Sequence, residues 1–221
     1  MSHQLFLLLA EATLDTLYMV ALSGAIGTAL GLPLGIWLAT SGRGELLAAP
    51  LFNRIGGVLV NATRSTPFII LVVAIIPFTR LVAGTSIGTS AAIVPLTVAT
   101  VPFIARIVET AIREVDRGLV EAAEAMGATP LQIIAKVLVP EALPGILLGL
   151  TLALVSLIGY SAMVGAVGGG GLGDLGIRYG YQRFMPEVMA AVVLLLIVLV
   201  QGIQSLGERL ARRVNKRLRT A

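Results

Sequence analysis

An all-helical membrane protein with five transmembrane helices is the fold class that this sequence predicts, and three observations carry the prediction. Of its 221 residues, 57% are apolar and only 13% charged, with a mean hydropathy of +0.95, well outside the range of ordinary soluble domains. Separate stretches of the chain reach the roughly 20 apolar residues that a helix needs to cross hydrocarbon. Lys and Arg gather in alternate connections between those stretches, as they do when one face of a bilayer is cytoplasmic.

The first span is expected over about residues 14–40, "LDTLYMVALSGAIGTALGLPLGIWLAT". Along it Gly24, Gly27, Gly31 and Gly35 recur every three or four residues, a spacing that lets a neighbouring helix approach one face closely. Neither a basic leader nor a cleavage site precedes it, so this span is expected to stay in the mature chain. The second covers about 57–79, "GVLVNATRSTPFIILVVAIIPFT", and holds a charge, Arg64, about two turns inside its start. Such a charge costs about 2.5–3.5 kcal/mol at a helix centre and less near the interface. Arg64 therefore either snorkels to the cytoplasmic boundary, the preferred reading, or serves near an inner gate with Ser65 and Pro67. Asn61, Thr63, Ser65 and Thr66 can line water or satisfy the backbone that Pro67 frees.

Span three is expected over about 87–108, span four over 143–167 and span five over 186–207. Pro33, Pro67, Pro77, Pro95 and Pro102 fall in spans one to three, where each removes a backbone hydrogen bond and invites a kink or an unwound stretch. Near the end of span four, "GYSAM" sets Tyr160, Ser161 and Met163 among small residues. They are candidates to line or gate a pathway, Met163 because its unbranched side chain adapts to different shapes. Ordinary core is the competing reading.

The connections after spans one, three and five hold Arg43, Arg54, Arg106, Arg113, Arg117, Lys136, Arg209, Arg212, Arg213, Lys216, Arg217 and Arg219. The alternate ones hold Arg80, Arg178 and Arg183. This asymmetry puts the N-terminus outside and the C-terminus in the cytoplasm. The basic tail "ERLARRVNKRLRTA" directly follows an apolar run, which points to anionic membrane lipid as its partner and not to nucleic acid. With no cysteine, disulfides and thiolate metal sites are excluded, and His3 alone supports no metal site.

Residues 116–145, "DRGLVEAAEAMGATPLQIIAKVLVPEALPG", form a polar insert between spans three and four. Asp116 is placed to cap a helix that begins near Arg117, and Gly127 to end it in a left-handed conformation. Leu119, Ala122, Ala123 and Met126 are spaced to share one narrow face, while Glu121 and Glu124 point elsewhere. A second start follows, with Thr129 as cap, Pro130 at the first helical position and Gln132 completing a capping box. That helix is expected to run toward Pro140, so the pair occupies about 116–139. Helices this short are marginal alone and need a surface to pack on. That surface is either their own bundle, as interfacial helices of an ordinary loop, or a groove on a cytoplasmic partner.

The run Glu121, Ala122, Ala123, with Gly127 beyond and an apolar helix ending in "LVPEALPGI", resembles the "EAA" motif of ABC importer permeases. "RSTPFIILVVAIIPFTRLVAGTSIG", "AAIVPLTVATVPFIARIVE" and "GYSAMVGAVGGGGLGDLGIRYGY" are similar to permeases of methionine ABC importers, over nearly the whole chain. The resemblance implies the type I importer permease fold and an inner-membrane subunit that works with a second copy of itself. It also implies two ATP-binding subunits, which would bind ATP and Mg, and an external methionine-binding lipoprotein. Glu121, Ala122, Ala123, Met126, Gly127, Ala128 and Thr129 would then couple to the ATPase, with no catalytic residue and no cofactor of the chain's own. The coupling motif does not name the cargo, so another amino acid, a quaternary amine, or a scaffold without transport remain alternatives.

The residues themselves argue against nucleotide chemistry. No glycine-rich loop ends in Lys followed by Ser or Thr. Gly168, Gly170 and Gly173, like Gly171, Gly173 and Gly176, fit a dinucleotide spacing but follow a membrane span, where a Rossmann unit needs a strand. A flexible or unwound outer segment is expected there, with Arg178, Tyr179 and Tyr181 as contacts for the external protein. No span carries paired carboxylates or a serine with a base, so a membrane enzyme ranks last.

Overall fold

The computed structural model describes residues 3–214; Lys216, Arg217 and Arg219 of the basic tail lie outside them. Every regular element among the described residues is helical. In order these are α1 (His3–Thr40), α2 (Pro50–Ser65), α3 (Phe68–Ala74), α4 (Ile76–Ala83), α5 (Thr89–Arg113), α6 (Arg117–Ala125) and α7 (Pro130–Ile133), followed by α8 (Val139–Val164), α9 (Gly171–Leu175) and α10 (Pro186–Val214). Wider π-turns at Ile134–Leu138, Gly165–Gly169 and Gly176–Tyr181 join the later elements. Four helices are long and apolar enough to cross a membrane, and a fifth span exists if α2 and α3 count as one broken span.

The second span is therefore not the single helix expected over 57–79. Helix α2 stops at Ser65, Pro67 is extended at φ −55 and ψ 131, and α3 starts anew at Phe68, with the Pro67 carbonyl accepting from Ile70 and Leu71. A proline disfavours the helical conformation of the residue before it, and its ring cannot donate to the turn behind. Pro77 starts a helix instead of interrupting one, since the missing N–H costs nothing in a first turn. In contrast, Pro33, Pro95 and Pro102 lie inside continuous helix.

Helix α1 begins at His3, well before the expected residue 14, and α5 runs on to Arg113. The second helix of the polar insert does not stop at Pro140. Pro140 has no N–H for the Lys136 carbonyl, and the turn before it widens so that Val139 donates to Ile134, five residues back. The helix passes through this π-turn into α8 without a break.

Contacts group the described residues into two compact units. One takes the chain up to Gly27, Thr66–Thr100 and Ala153–Gln204; the other takes Thr28–Ser65, Val101–Leu152 and the residues from Ser205 on. The first has a core of Met19 and Leu96, both fully buried, with Val20, Phe68, Val72, Ala92, Ile93, Leu157, Ile158 and Val164. A second cluster in the same unit, Leu9, Ala12, Leu172, Leu175, Val188 and Val192, seats α9 against α1 and α10. In the other unit Leu38, Val60 and Ala105 pack with Leu34 and Trp37.

The glycine stripe of α1 does what its spacing predicts. A Cβ at Gly31 would come within 2.8 Å of the Val101 carbonyl and 2.9 Å of Ile104, so α5 lies directly on the glycine face. Close backbone approach of this kind supplies the dispersion contacts that hold membrane helices together where no water is available to drive them.

Candidate coupling surface and pathway residues

Helix α6 is built by its two ends. Asp116 Oδ1 accepts from the Gly118 N–H at 2.7 Å, the cap predicted for this position. At the other end Gly127 sits at φ +79, and two reversed hydrogen bonds close the helix: Gly127 N to Glu124 O at 2.9 Å and Ala128 N to Ala123 O at 3.1 Å. These are the two bonds of a Schellman motif, which satisfies carbonyls that the helix end would otherwise orphan. The next start is fixed by the Gln132 side chain, whose Oε1 accepts from the Thr129 N–H at 2.9 Å.

The face of α6 divides differently from the expectation. Ala123 is only 4% exposed and turns inward, apart from Leu119 and Met126. Glu121, Ala122, Gly127 and Thr129 are exposed, Ala128 is half-buried, and Met126 stands 81% exposed. Helix α6 packs on α7 and on the π-turn Ile134–Leu138, where Ile133, Ile134 and Leu138 are buried. The bundle thus takes Ala123 while Leu119, Met126 and Leu131 keep large apolar surfaces outside. Behind α6 a recess of about 190 Å³ is lined by Thr40, Glu45, Ile112, Arg113, Arg117 and Val120, among others.

The pathway candidates meet different surroundings. Ser161 is 2% exposed and its Oγ donates to the Ile158 carbonyl at 2.7 Å, which makes it a core residue satisfied by its own helix, not a path-lining one. Tyr160 is half-buried and stacks on Phe68, ring centroids 4.4 Å apart and planes 17° apart. Met163 is 49% exposed. Arg64 lies in the last turn of α2, not two turns inside a straight span, and its cation complements the carbonyl end of that helix. Ser65 donates to Asn61 O at 2.9 Å and Thr63 to Leu59 O at 3.0 Å, so neither hydroxyl is spent on the break that exposed Pro67 makes.

The glycine-rich segment, expected to be flexible or unwound, is unwound over a few residues at its start and folded beyond them. Val167 and Gly168 leave helical geometry, with Gly168 at φ +90, and the chain then re-forms α9. The Gly88 N–H donates to Gly168 O at 2.8 Å and the Leu172 N–H to Thr16 Oγ1 at 2.9 Å, pinning the segment on both sides. Arg178 pairs with Asp174, Arg183 lies 4.4 Å over the Tyr179 ring, and Tyr181 is 68% exposed.

One cluster was not read from the sequence. Glu109, 4% exposed, accepts from Arg106 at 2.7 Å and from Arg113 at 2.9 Å, and Arg106 reaches Asn61 at 2.6 Å. Its signal was present in the spacing, since residues three and four apart share a helix face. Counted only as loop cations, the two arginines concealed it.

Membrane-length helices and a capped helix pair with apolar side chains turned outward define a membrane protein built to dock a partner. The chain belongs to the family of binding-protein-dependent transport system inner membrane components, whose description matches residues 31–220. It is 60% identical over 210 residues to the probable D-methionine transport system permease protein MetI of Vibrio cholerae, covering 95% of this chain and 93% of that relative. Its identity to the Pasteurella multocida protein of the same description is 46% over 217 residues, 98% of this chain and all of the relative, a coverage of 100%. A chain from the inward-facing conformations of the MetNI methionine ABC transporter superposes with a TM-score of 0.95 at 50% identity, covering 98% of this chain and 100% of that one. The fold is thus that of the type I importer permeases. An amino acid ABC transporter crystallised with histidines shares the fold at a TM-score of 0.77 and 22% identity, covering 93% of this chain and 94% of that one.

Proposed function

We propose that the chain is the membrane-spanning subunit of an ATP-driven methionine importer. One observation carries the reading: identity of 60% across 95% of the chain to a protein described as a D-methionine permease. The subunit works as a homodimer, with two ATP-binding subunits inside and a methionine-binding lipoprotein outside. Its N-terminus faces out and its C-terminus faces the cytoplasm, an orientation that the alternating Lys and Arg content supports. The chain itself is non-catalytic and binds no cofactor; ATP and Mg belong to the partners.

Within this reading α6 is the coupling element. Glu121, Ala122, Met126, Gly127 and Thr129, exposed on the single chain, meet the ATP-binding subunit with Leu119 and Leu131. Apolar side chains left outside on a short capped helix suit the mode in which a helix lays its apolar face into a partner's groove. Ala123 and Ala128 act from behind, through the bonds that end the helix. Closure of the ATP-binding subunits displaces α6, and the displacement passes into α5 and α8, to which it is joined. Tyr160, Met163, Arg64 and Pro67 are the remaining pathway candidates, Tyr160 through its stack on Phe68 beside Pro67.

The test is uptake of labelled methionine by the intact complex in sealed vesicles with ATP inside and binding protein outside. ATP-dependent uptake that unlabelled methionine abolishes is expected. No methionine uptake, together with ATP-dependent uptake of another labelled amino acid or quaternary amine, would transfer the machine to a different cargo.

A further inference from the structure

Asn61, Arg106, Glu109 and Arg113 make a joint that neither the coupling motif nor the pathway candidates use. Burying a carboxylate is costly unless it is paired and hydrogen-bonded, and Glu109 has one arginine on each oxygen: Arg106 on Oε2 at 2.7 Å, Arg113 on Oε1 at 2.9 Å. Both of these bonds stay within α5, at spacings of three and four residues. The third bond crosses to another helix, from the second guanidinium nitrogen of Arg106 to Asn61 Oδ1 at 2.6 Å on α2. A guanidinium is a planar fork: with one nitrogen fixed by Glu109, the other is aimed and not free to swing. Asn61 lies one turn before Ser65, where α2 ends. Beyond Arg113 the chain passes through buried Val115 directly into the Asp116 cap of α6.

We propose that Glu109 and Arg106 are positioning residues for coupling, which make α2 follow α5 when α6 is displaced. The inference rests on the transport reading above. Glu109 orients Arg106, Arg106 holds Asn61, and the load applied at α6 reaches α2 through one charge-assisted bond. Without that bond only the apolar contact of Val60 with Ala105, which has no directional hold, links α2 to the base of α5, and ATP is hydrolysed without a full opening of the path.

The experiment uses the complete complex in vesicles and reads methionine imported per ATP hydrolysed, with the thermal midpoint and retained ATP-binding subunit as controls. Asn61→Leu removes the interhelical bond and leaves the ion cluster of α5 intact; Asn61→Asp supplies a charged acceptor in its place. Asn61→Leu is expected to lower import per ATP by about threefold or more, the scale on which single positions alter coupling between sites. Hydrolysis and subunit retention should be unchanged, Asn61→Asp should restore the ratio, and Glu109→Gln should lower it like Asn61→Leu. An unchanged ratio in Asn61→Leu, or an equal loss in Asn61→Asp, would overturn the proposal. So would a parallel fall of import and hydrolysis, which marks a merely structural lesion. A wild-type complex that hydrolyses ATP and imports no methionine overturns the transport reading and this inference together.

Discussion

Two turns of this chain rely on glycine at positive φ and put it to opposite uses. Gly127, at φ +79, has nothing within 4 Å of where a Cβ would stand; Gly171, at φ +72, would place that carbon 2.6 Å from Thr16 Oγ1 and 2.8 Å from the Met19 methyl. The first turn is open on all sides and presents α6 to whatever lies beyond. The second is a packed joint, with α9 driven into α1 by Leu172 and Leu175. Similar backbone angles thus serve presentation in one place and closure in the other, and only the surroundings tell them apart.

Substitution separates the two. Gly171→Leu should be the most damaging change, because about 1–2 kcal/mol of left-handed strain adds to about 1–3 kcal/mol of overpacking. The expected result is a steep loss of monodisperse protein in detergent and a lowered thermal midpoint; a variant that melts like the wild type would break the contrast. Next comes the open surface. Replacing Leu119 and Met126 together by Asp should cost at least about tenfold in retention of the ATP-binding subunit, on the scale of interface anchors. With Met126 81% and Leu119 43% exposed, the thermal midpoint should move little, and coelution at wild-type levels would remove α6 from the interface. Smallest is Gly127→Ala, limited to about 1–2 kcal/mol of strain in an uncrowded turn. It should leave a folded complex with reduced coupling, measurable as import per ATP.

How much could be read in advance follows the same division. Asp116, Gly127 and Gln132 act within four residues of themselves, so cap, turn and second start were all legible. Burial of Ala123 was not, because a helical wheel places it beside Leu119 and cannot say which neighbour will cover it. The break at Thr66–Pro67 lay in plain view as a proline, yet Pro33, Pro95 and Pro102 are prolines too and their helices continue. Ser161 looked like a polar group in want of a path until its own helix accepted its hydroxyl. Arg64 looked like a charge inside one straight helix, and the structure sets it in the last turn of α2, beside the carbonyl end that its cation complements.

By itself, the sequence determined a membrane solvent from apolar content, helical element type from run length, caps from the chemistry of adjacent residues, and a coupling motif from spacing. The tertiary structure alone decided which apolar face is covered, which prolines break a helix, and that Arg106, one of the two arginines on Glu109, reaches Asn61 across 45 positions of chain. The physical reason is that a cap is satisfied by its own backbone, whereas burial and charge pairing are settled by whichever distant segment arrives to share the space.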